Sequence, residues 1–284
     1  MSTVSRRDAM RAALAAALPV TFPARQGSPG VARGRLKQSV CRWCYRGIPL
    51  ADFCRALAGM GLTAMDLLTP DEWPTARQFG LTCSMGSGLG GTIENGLNDP
   101  ANHEPIVSSL IAGIPVAAKA GVPNVITFFG NRRGRTDEDA IANCVKALNR
   151  VKGVAEAHGV TVCVELLNSK VNHKDYQCDY SKWGVELVKR VGSERFKLLY
   201  DIYHMQIMEG DICDTIKENH QYFDHYHTGG VPGRNEIDDS QELQYPRIMQ
   251  AIIATGFKGY VAQEFIPKRD PLASLKQAVG ICDV

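Results

Sequence analysis

Val160-Thr161-Val162-Cys163-Val164 runs into Glu165, and Phe196-Lys197-Leu198-Leu199-Tyr200 runs into Asp201. Two later runs repeat the arrangement: Phe223-Asp224-His225-Tyr226 is closed by His227, and Tyr260-Val261-Ala262-Gln263 by Glu264. Each reads as a short buried strand followed by a loop and a helical pattern. In a (β/α)8 barrel the strand ends converge on one mouth, so these four side chains would meet there. Two Glu, one Asp and one His at a point would repel as bare anions. A divalent cation among them resolves the repulsion and makes the mouth a candidate active site.

The same alternation extends toward the N-terminus. Residues 38–41 read as a first strand with a helix at 50–60, 63–68 as a second with a helix near 70–79, and 81–84 as a third. A helical pattern at 105–121 places Ile106, Leu110, Ile111, Ile114, Ala117 and Ala118 on one face, with Gly121 as its C-terminal cap. Residues 125–129 form the fourth strand. A long helix, 136–158, carries Ile141, Cys144, Val145, Leu148, Val151 and Val154 at helical spacing. Asp137 and Glu138 suit its N-terminal dipole, and Gly159 stops it. Further helices fall near 180–192, 211–219, 244–255 and 271–280. Eight β–α repeats without a break in composition predict one α/β barrel rather than two domains. The competing doubly wound sheet lacks its G-x-G-x-x-G fingerprint. Gly86-Ser87-Gly88-Leu89-Gly90-Gly91, inside the stretch 85–103, reads as a mobile loop over the mouth rather than a phosphate loop.

Composition excludes several classes of function. The 284 residues are 44% hydrophobic and 22% charged, with a net charge of +2. That charge gives no electrostatic footprint for nucleic acid. No apolar run approaches the ~20 residues of a membrane span. At the N-terminus Arg6-Arg7 precedes the Ala-rich run 11–18 and then Pro19, Pro23, Pro29 and Gly30. This pattern predicts a twin-arginine-type export signal and processing region over residues 1–35, hence a periplasmic or otherwise exported protein; the alternative is a frayed amphipathic helix and a cytoplasmic protein. Residues 36–284 then supply the ~250 residues of a single barrel. The nine cysteines are scattered and odd in number. Several lie in apolar patterns, where Cys acts as a small hydrophobe. Cys41-Arg42-Trp43-Cys44 lacks the second ligand pair of a structural zinc site.

Longer motifs carry a family resemblance. His225-Tyr226-His227-Thr228-Gly229-Gly230-Val231-Pro232-Gly233-Arg234-Asn235-Glu236 resembles the seventh-strand motif of the hydroxypyruvate isomerase family. Val261-Ala262-Gln263-Glu264-Phe265-Ile266-Pro267 resembles its eighth strand. Val164-Glu165-Leu166-Leu167-Asn168 and Leu199-Tyr200-Asp201-Ile202-Tyr203-His204 are similar to strands five and six. The resemblance covers most of residues 38–284 and belongs to the wider xylose-isomerase-like group of TIM barrels, which includes keto-sugar 3-epimerases and endonuclease IV. It implies that Glu165 and Glu264 bind a metal and shuttle protons, with Asp201 and His227 as the other ligands. His227 departs from the hydroxypyruvate isomerases, which carry an amide there, and follows the epimerases. The resemblance also implies that His204 hydrogen-bonds a substrate oxygen.

The chemistry of these groups fits proton transfer next to a carbonyl. A cation bridging the carbonyl and the neighbouring hydroxyl stabilises an enediolate, while one carboxylate removes a proton and a second returns one. The donor set favours Mg²⁺ or Mn²⁺, with Co²⁺ or Zn²⁺ as alternatives. Arg234, in a Pro-Gly-Arg turn, has a planar fork suited to a carboxylate or a pair of polyol oxygens; the bland alternative is a surface arginine. His225 is expected to pack below the mouth, Glu236 to fix Arg234, Asn168 and Lys170 to line the mouth, and Trp43 to wall the pocket or be buried. Asp and Glu at strand ends also cap following helices, but four on successive strands favour a site.

The leading expectation is a metal-dependent isomerase of a small hydroxy-keto acid. A keto-sugar 3-epimerase or sugar isomerase is the alternative, and an exported sugar-binding barrel without catalysis the second. A phosphodiesterase of endonuclease IV type would need three zinc ions and several more histidines at the mouth, and of the chain's seven His few lie at strand ends. The expected partner is a small molecule; barrels of this group also commonly form homo-oligomers.

Overall fold

The computed structural model describes residues 34–284. The expected export segment therefore lies almost entirely outside the described residues. Seven strands form one parallel sheet in the order β1 (Lys37–Val40), β9 (Tyr260–Gln263), β8 (Phe223–Thr228), β7 (Phe196–Asp201), β6 (Thr161–Glu165), β5 (Asn124–Thr127) and β4 (Gly86–Gly90). The strands β2 (Ala64–Met65) and β3 (Thr82–Cys83) form a separate parallel pair. Isolated parallel bridges, Cys41 to Asp66 and Leu68 to Gly86, link that pair to β1 and β4. Helices cross between the strands: α1 (Leu50–Gly59), α2 (Trp73–Gln78), α3 (His103–Ala120), α4 (Asp137–His158), α5 (Ser181–Val191), α6 (Ile202–Met208), α7 (Ile212–Asn219), α8 (Tyr245–Ala254) and α9 (Pro271–Cys282).

Local chemistry accounts for these elements. All five residues of β6 are buried, as expected of a parallel strand covered on both faces. Thr136 caps α4 by accepting from Asp139 N at 3.1 Å, and Gly159, at φ 67°, ends it in the left-handed region. Helix α3 ends in the same way at Gly121. No helix among the described residues is long and apolar enough to cross a membrane.

Two expectations are corrected. The Gly-rich stretch is not wholly a loop: Gly86–Gly90 is strand β4, paired with β5. A Cβ at Gly90 would stand 2.2 Å from the Ile126 carbonyl oxygen, so glycine here permits close backbone approach rather than mobility. The segment after Asp201 is also not a loop but the short helix α6.

Candidate metal centre and its surroundings

The four polar residues that close the late strands come together. Glu165 and Asp201 are the last residues of β6 and β7, His227 is the penultimate residue of β8, and Glu264 follows β9 directly. Parallel pairing puts Asp201 opposite His227. One ligand atom from each of the four lies within 4.8 Å of the others, and all four residues are buried. His227 Nδ1 stands 2.5 Å from Glu264 Oε2, 3.6 Å from Glu165 Oε1 and 4.0 Å from Asp201 Oδ2.

Arg234 follows the tight Gly-Gly-Val-Pro-Gly turn and enters the same cluster, almost fully buried. Its Nη2 is 2.9 Å from Asp201 Oδ2 and 2.5 Å from Glu264 Oε2. Nη1 donates to His204 Nε2 at 2.7 Å, and Nε to the Glu264 carbonyl at 3.2 Å. The arginine thus spends its whole fork inside the cluster. His204 is fully buried, with the Asn168 side-chain amide 2.5 Å from its Nδ1. The sequence places His204 in a loop; it instead lies in the first turn of α6, where Asp201 Oδ1 caps its backbone N–H at 3.2 Å. Asp201 therefore serves as a helix cap and faces the cluster at once.

Burial and charge set the protonation of the cluster. Burial pushes Glu165 up, and Asp201 up to about 8, against the pull of neighbouring cations. Burial acts on Glu264 too, but Arg234 and His227 outweigh it and hold that carboxyl well below the usual range. Burial and the Arg234 charge keep His204 neutral. Burial alone would also lower His227, yet Cys41, Glu264 and Asp66 hold it well above an ordinary imidazole.

The residues present fit a divalent cation. Glu165, Asp201, His227 and Glu264 turn three carboxyl groups and one imidazole toward one point, the oxygen and nitrogen donors that a divalent cation takes. His227 Nδ1 and Glu264 Oε2 are buried and face each other across 2.5 Å, the gap in which an ion would part them as two ligands. Burial disfavours the charged forms of Glu165 and Asp201, and a dication among the four would favour those forms as ligands.

The model of the family described as xylose isomerase-like TIM barrels matches residues 74–281. The chain belongs to that family. A human protein named "Putative hydroxypyruvate isomerase" is 25% identical over 238 residues, which are 82% of this chain and 80% of its own. The D-psicose 3-epimerase of Ruminiclostridium cellulolyticum is 34% identical over 124 residues, covering 42% of this chain and 39% of its own. Among solved structures, an AP endonuclease of family 2 from Brucella melitensis superposes with a TM-score of 0.76 at 21% identity, covering 84% of this chain and 97% of its own. That likeness carries the fold alone.

The remaining predicted residues of this xylose isomerase-like barrel divide. Half-buried Trp43 reaches the cluster, donating from Nε1 to Glu264 Oε1 at 2.6 Å. Asn168 is buried beside His204. Lys170 does not line the mouth: its Nζ donates to the carbonyls of Ile207 and Met208 at the end of α6. Glu236 does not fix Arg234. Its Oε1 accepts from the backbone N–H groups of Lys268 and Arg269 and from Ser274 Oγ. His225 packs below the cluster, as its place two residues before His227 requires, with Nε2 3.1 Å from Asp66 Oδ1. Asp66 itself gave no signal in the sequence, being one aspartate in a short apolar run; only its parallel bridge to Cys41 brings it under the cluster. All nine cysteines are free thiols.

Proposed function

We propose that this chain is a divalent-metal-dependent isomerase that moves a proton between adjacent carbons of a small hydroxy-keto acid of the hydroxypyruvate type. The observation that carries the reading is the convergence of Glu165, Asp201, His227 and Glu264 within 4.8 Å at the ends of successive strands. The extended similarity to the human relative supports the acid substrate. In this reading β3 and β4 act as one interrupted strand, so that the barrel has eight. Residues 1–35 are an export signal, which would place the enzyme in the periplasm, and residues 36–284 are the catalytic barrel.

Glu165 and Glu264 form the acid–base pair. One, ionised, removes the proton from the carbon bearing the hydroxyl; the other, as the carboxylic acid, delivers one to the former carbonyl carbon, while the hydroxyl proton passes to the former carbonyl oxygen. Mg²⁺ or Mn²⁺ held by Glu165, Asp201, His227 and Glu264 would stabilise negative charge developing on the substrate oxygens. Trp43 fixes the rotamer of Glu264 through its indole N–H. His204 and Arg234 adjoin the carboxylates, and a cation that takes over Asp201 and Glu264 would release the Arg234 fork, and with it His204, to bind substrate oxygens. The buried setting strengthens each of these polar interactions.

His227 supports a second reading, a keto-sugar 3-epimerase, as does the similarity to the D-psicose 3-epimerase. Solvent-deuterium exchange into hydroxypyruvate, ketopentoses, ketohexoses and sugar acids, with and without Mn²⁺, separates the two. The leading reading predicts metal-dependent exchange into the keto acid. It also predicts that Glu165→Gln and Glu264→Gln each lower the exchange rate by about 10²–10⁴-fold. Exchange confined to ketohexoses or ketopentoses establishes the epimerase instead, and exchange unchanged by either substitution contradicts both readings.

A further inference from the structure

Asp66 is fully buried beneath the cluster and meets four side chains. Its Oδ2 is 2.8 Å from His227 Nε2, and Cys41 Sγ donates to the same oxygen at 3.5 Å. Its Oδ1 faces His225 Nε2 at 3.1 Å and accepts from Ser84 Oγ. Ser84 Oγ also lies 3.0 Å from Ser39 Oγ. Cys41 directly follows β1, Ser84 directly follows β3, and His225 and His227 lie in β8, so the carboxylate is held from several sides.

This geometry decides which nitrogen of His227 faces the other ligands. A carboxylate at 2.8 Å needs a donor, so Nε2 carries a proton. A neutral imidazole then has its lone pair on Nδ1, the atom turned toward Glu165, Asp201 and Glu264. Asp66 also lies near enough to His225 and His227 to resemble a ligand group of its own. Its two oxygens are already committed to His225, His227, Ser84 and Cys41, and it stands on the side of His227 away from the three carboxylates.

We propose that Asp66 is the positioning residue of the metal centre: it orients the His227 ring and keeps a proton on Nε2, so that Nδ1 is the nitrogen presented as a ligand. The proposal rests on the metal reading above. Ser84 takes part by holding the Asp66 carboxylate at Oδ1, the oxygen that His225 also faces, which leaves Oδ2 to His227.

Binding of Mn²⁺ to the full chain, followed by electron paramagnetic resonance of the free ion, tests this in the parent, Asp66→Asn and Ser84→Ala proteins. Circular dichroism and thermal unfolding establish whether each variant folds. Nitrogen-15 spectra of the Zn²⁺-loaded proteins report which nitrogen of His227 carries the proton. Carboxylates that orient ligating histidines typically contribute 10–100-fold in metal affinity. We expect Asp66→Asn to bind Mn²⁺ about 10–100-fold more weakly and to lose the uniform Nε2–H signature. Ser84→Ala should shift affinity in the same direction by less, and it keeps the test available if Asp66→Asn does not fold. Folded variants with parental affinity and parental nitrogen shifts would overturn the role of Asp66 while leaving the metal site intact. A parent chain that binds no ion would overturn the metal reading, and this inference with it.

Discussion

Arg234 is the residue on which the charge balance of the cluster turns. It reaches Asp201, Glu264 and His204 together, which a planar fork can do and a point charge cannot. Replacing it by methionine keeps side-chain bulk and removes the charge. Breaking a buried ion pair by deleting one partner costs about 3–5 kcal/mol. Arg234→Met should therefore lower the unfolding free energy of the metal-free chain by roughly that amount in urea titrations. Saturating Mn²⁺ should shrink the deficit, because the ion supplies positive charge to the same carboxylates. An equal deficit with and without Mn²⁺ would show that Arg234 and the cation do not share those carboxylates. Asp201 shows how one residue can satisfy two readings of a sequence: Oδ1 caps α6 while Oδ2 faces the arginine.

At the scale of elements, the loop between β8 and α8 is tied to the start of α9 by Glu236. The carboxylate accepts two backbone N–H bonds and one hydroxyl, and these outweigh burial to hold it below the usual carboxylate range. A depressed folded pKa means that the unfolded chain binds the proton more tightly. The stabilisation is thus fully present above the unfolded value of about 4.3 and is lost as pH falls through the folded value. Glu236→Gln should cost about 1–3 kcal/mol at pH 7, and its difference from the parent should narrow as the pH is lowered from about 4.3. A gap that stays constant down to pH 3 would contradict this role. Much of the fold was legible because hydrophobic period and strand-end residues are local signals. Strands β5 to β9 and the caps at Gly121 and Gly159 follow from such patterns. Three features required contacts distant in sequence. Gly90 is fixed by the approach of Ile126, Glu236 is claimed by residues 268–274, and Asp66 acquires its role only where β2 meets β1 and β8. Helix α6 was missed because its seven residues begin directly at a strand end, leaving no loop to mark the change of period.

At the scale of the whole molecule, the sheet order brings residues 165, 201, 227 and 264 to one end of neighbouring strands, so that segments 99 positions apart in sequence make one site. The same parallel order carries the helices along the outer faces and leaves the chemistry to the ends of the strands. On the proposed function those four side chains hold one divalent ion. The most direct measurement is the metal content of the full-length protein after equilibration with Mn²⁺, Mg²⁺, Co²⁺ or Zn²⁺ in turn and removal of free ion. The account predicts about one tightly held ion per chain for at least one of these metals, and its loss in a folded variant carrying Asp201→Ala and His227→Ala. A folded parent chain that retains none of the four ions, or a double variant that retains as much as the parent, would contradict it.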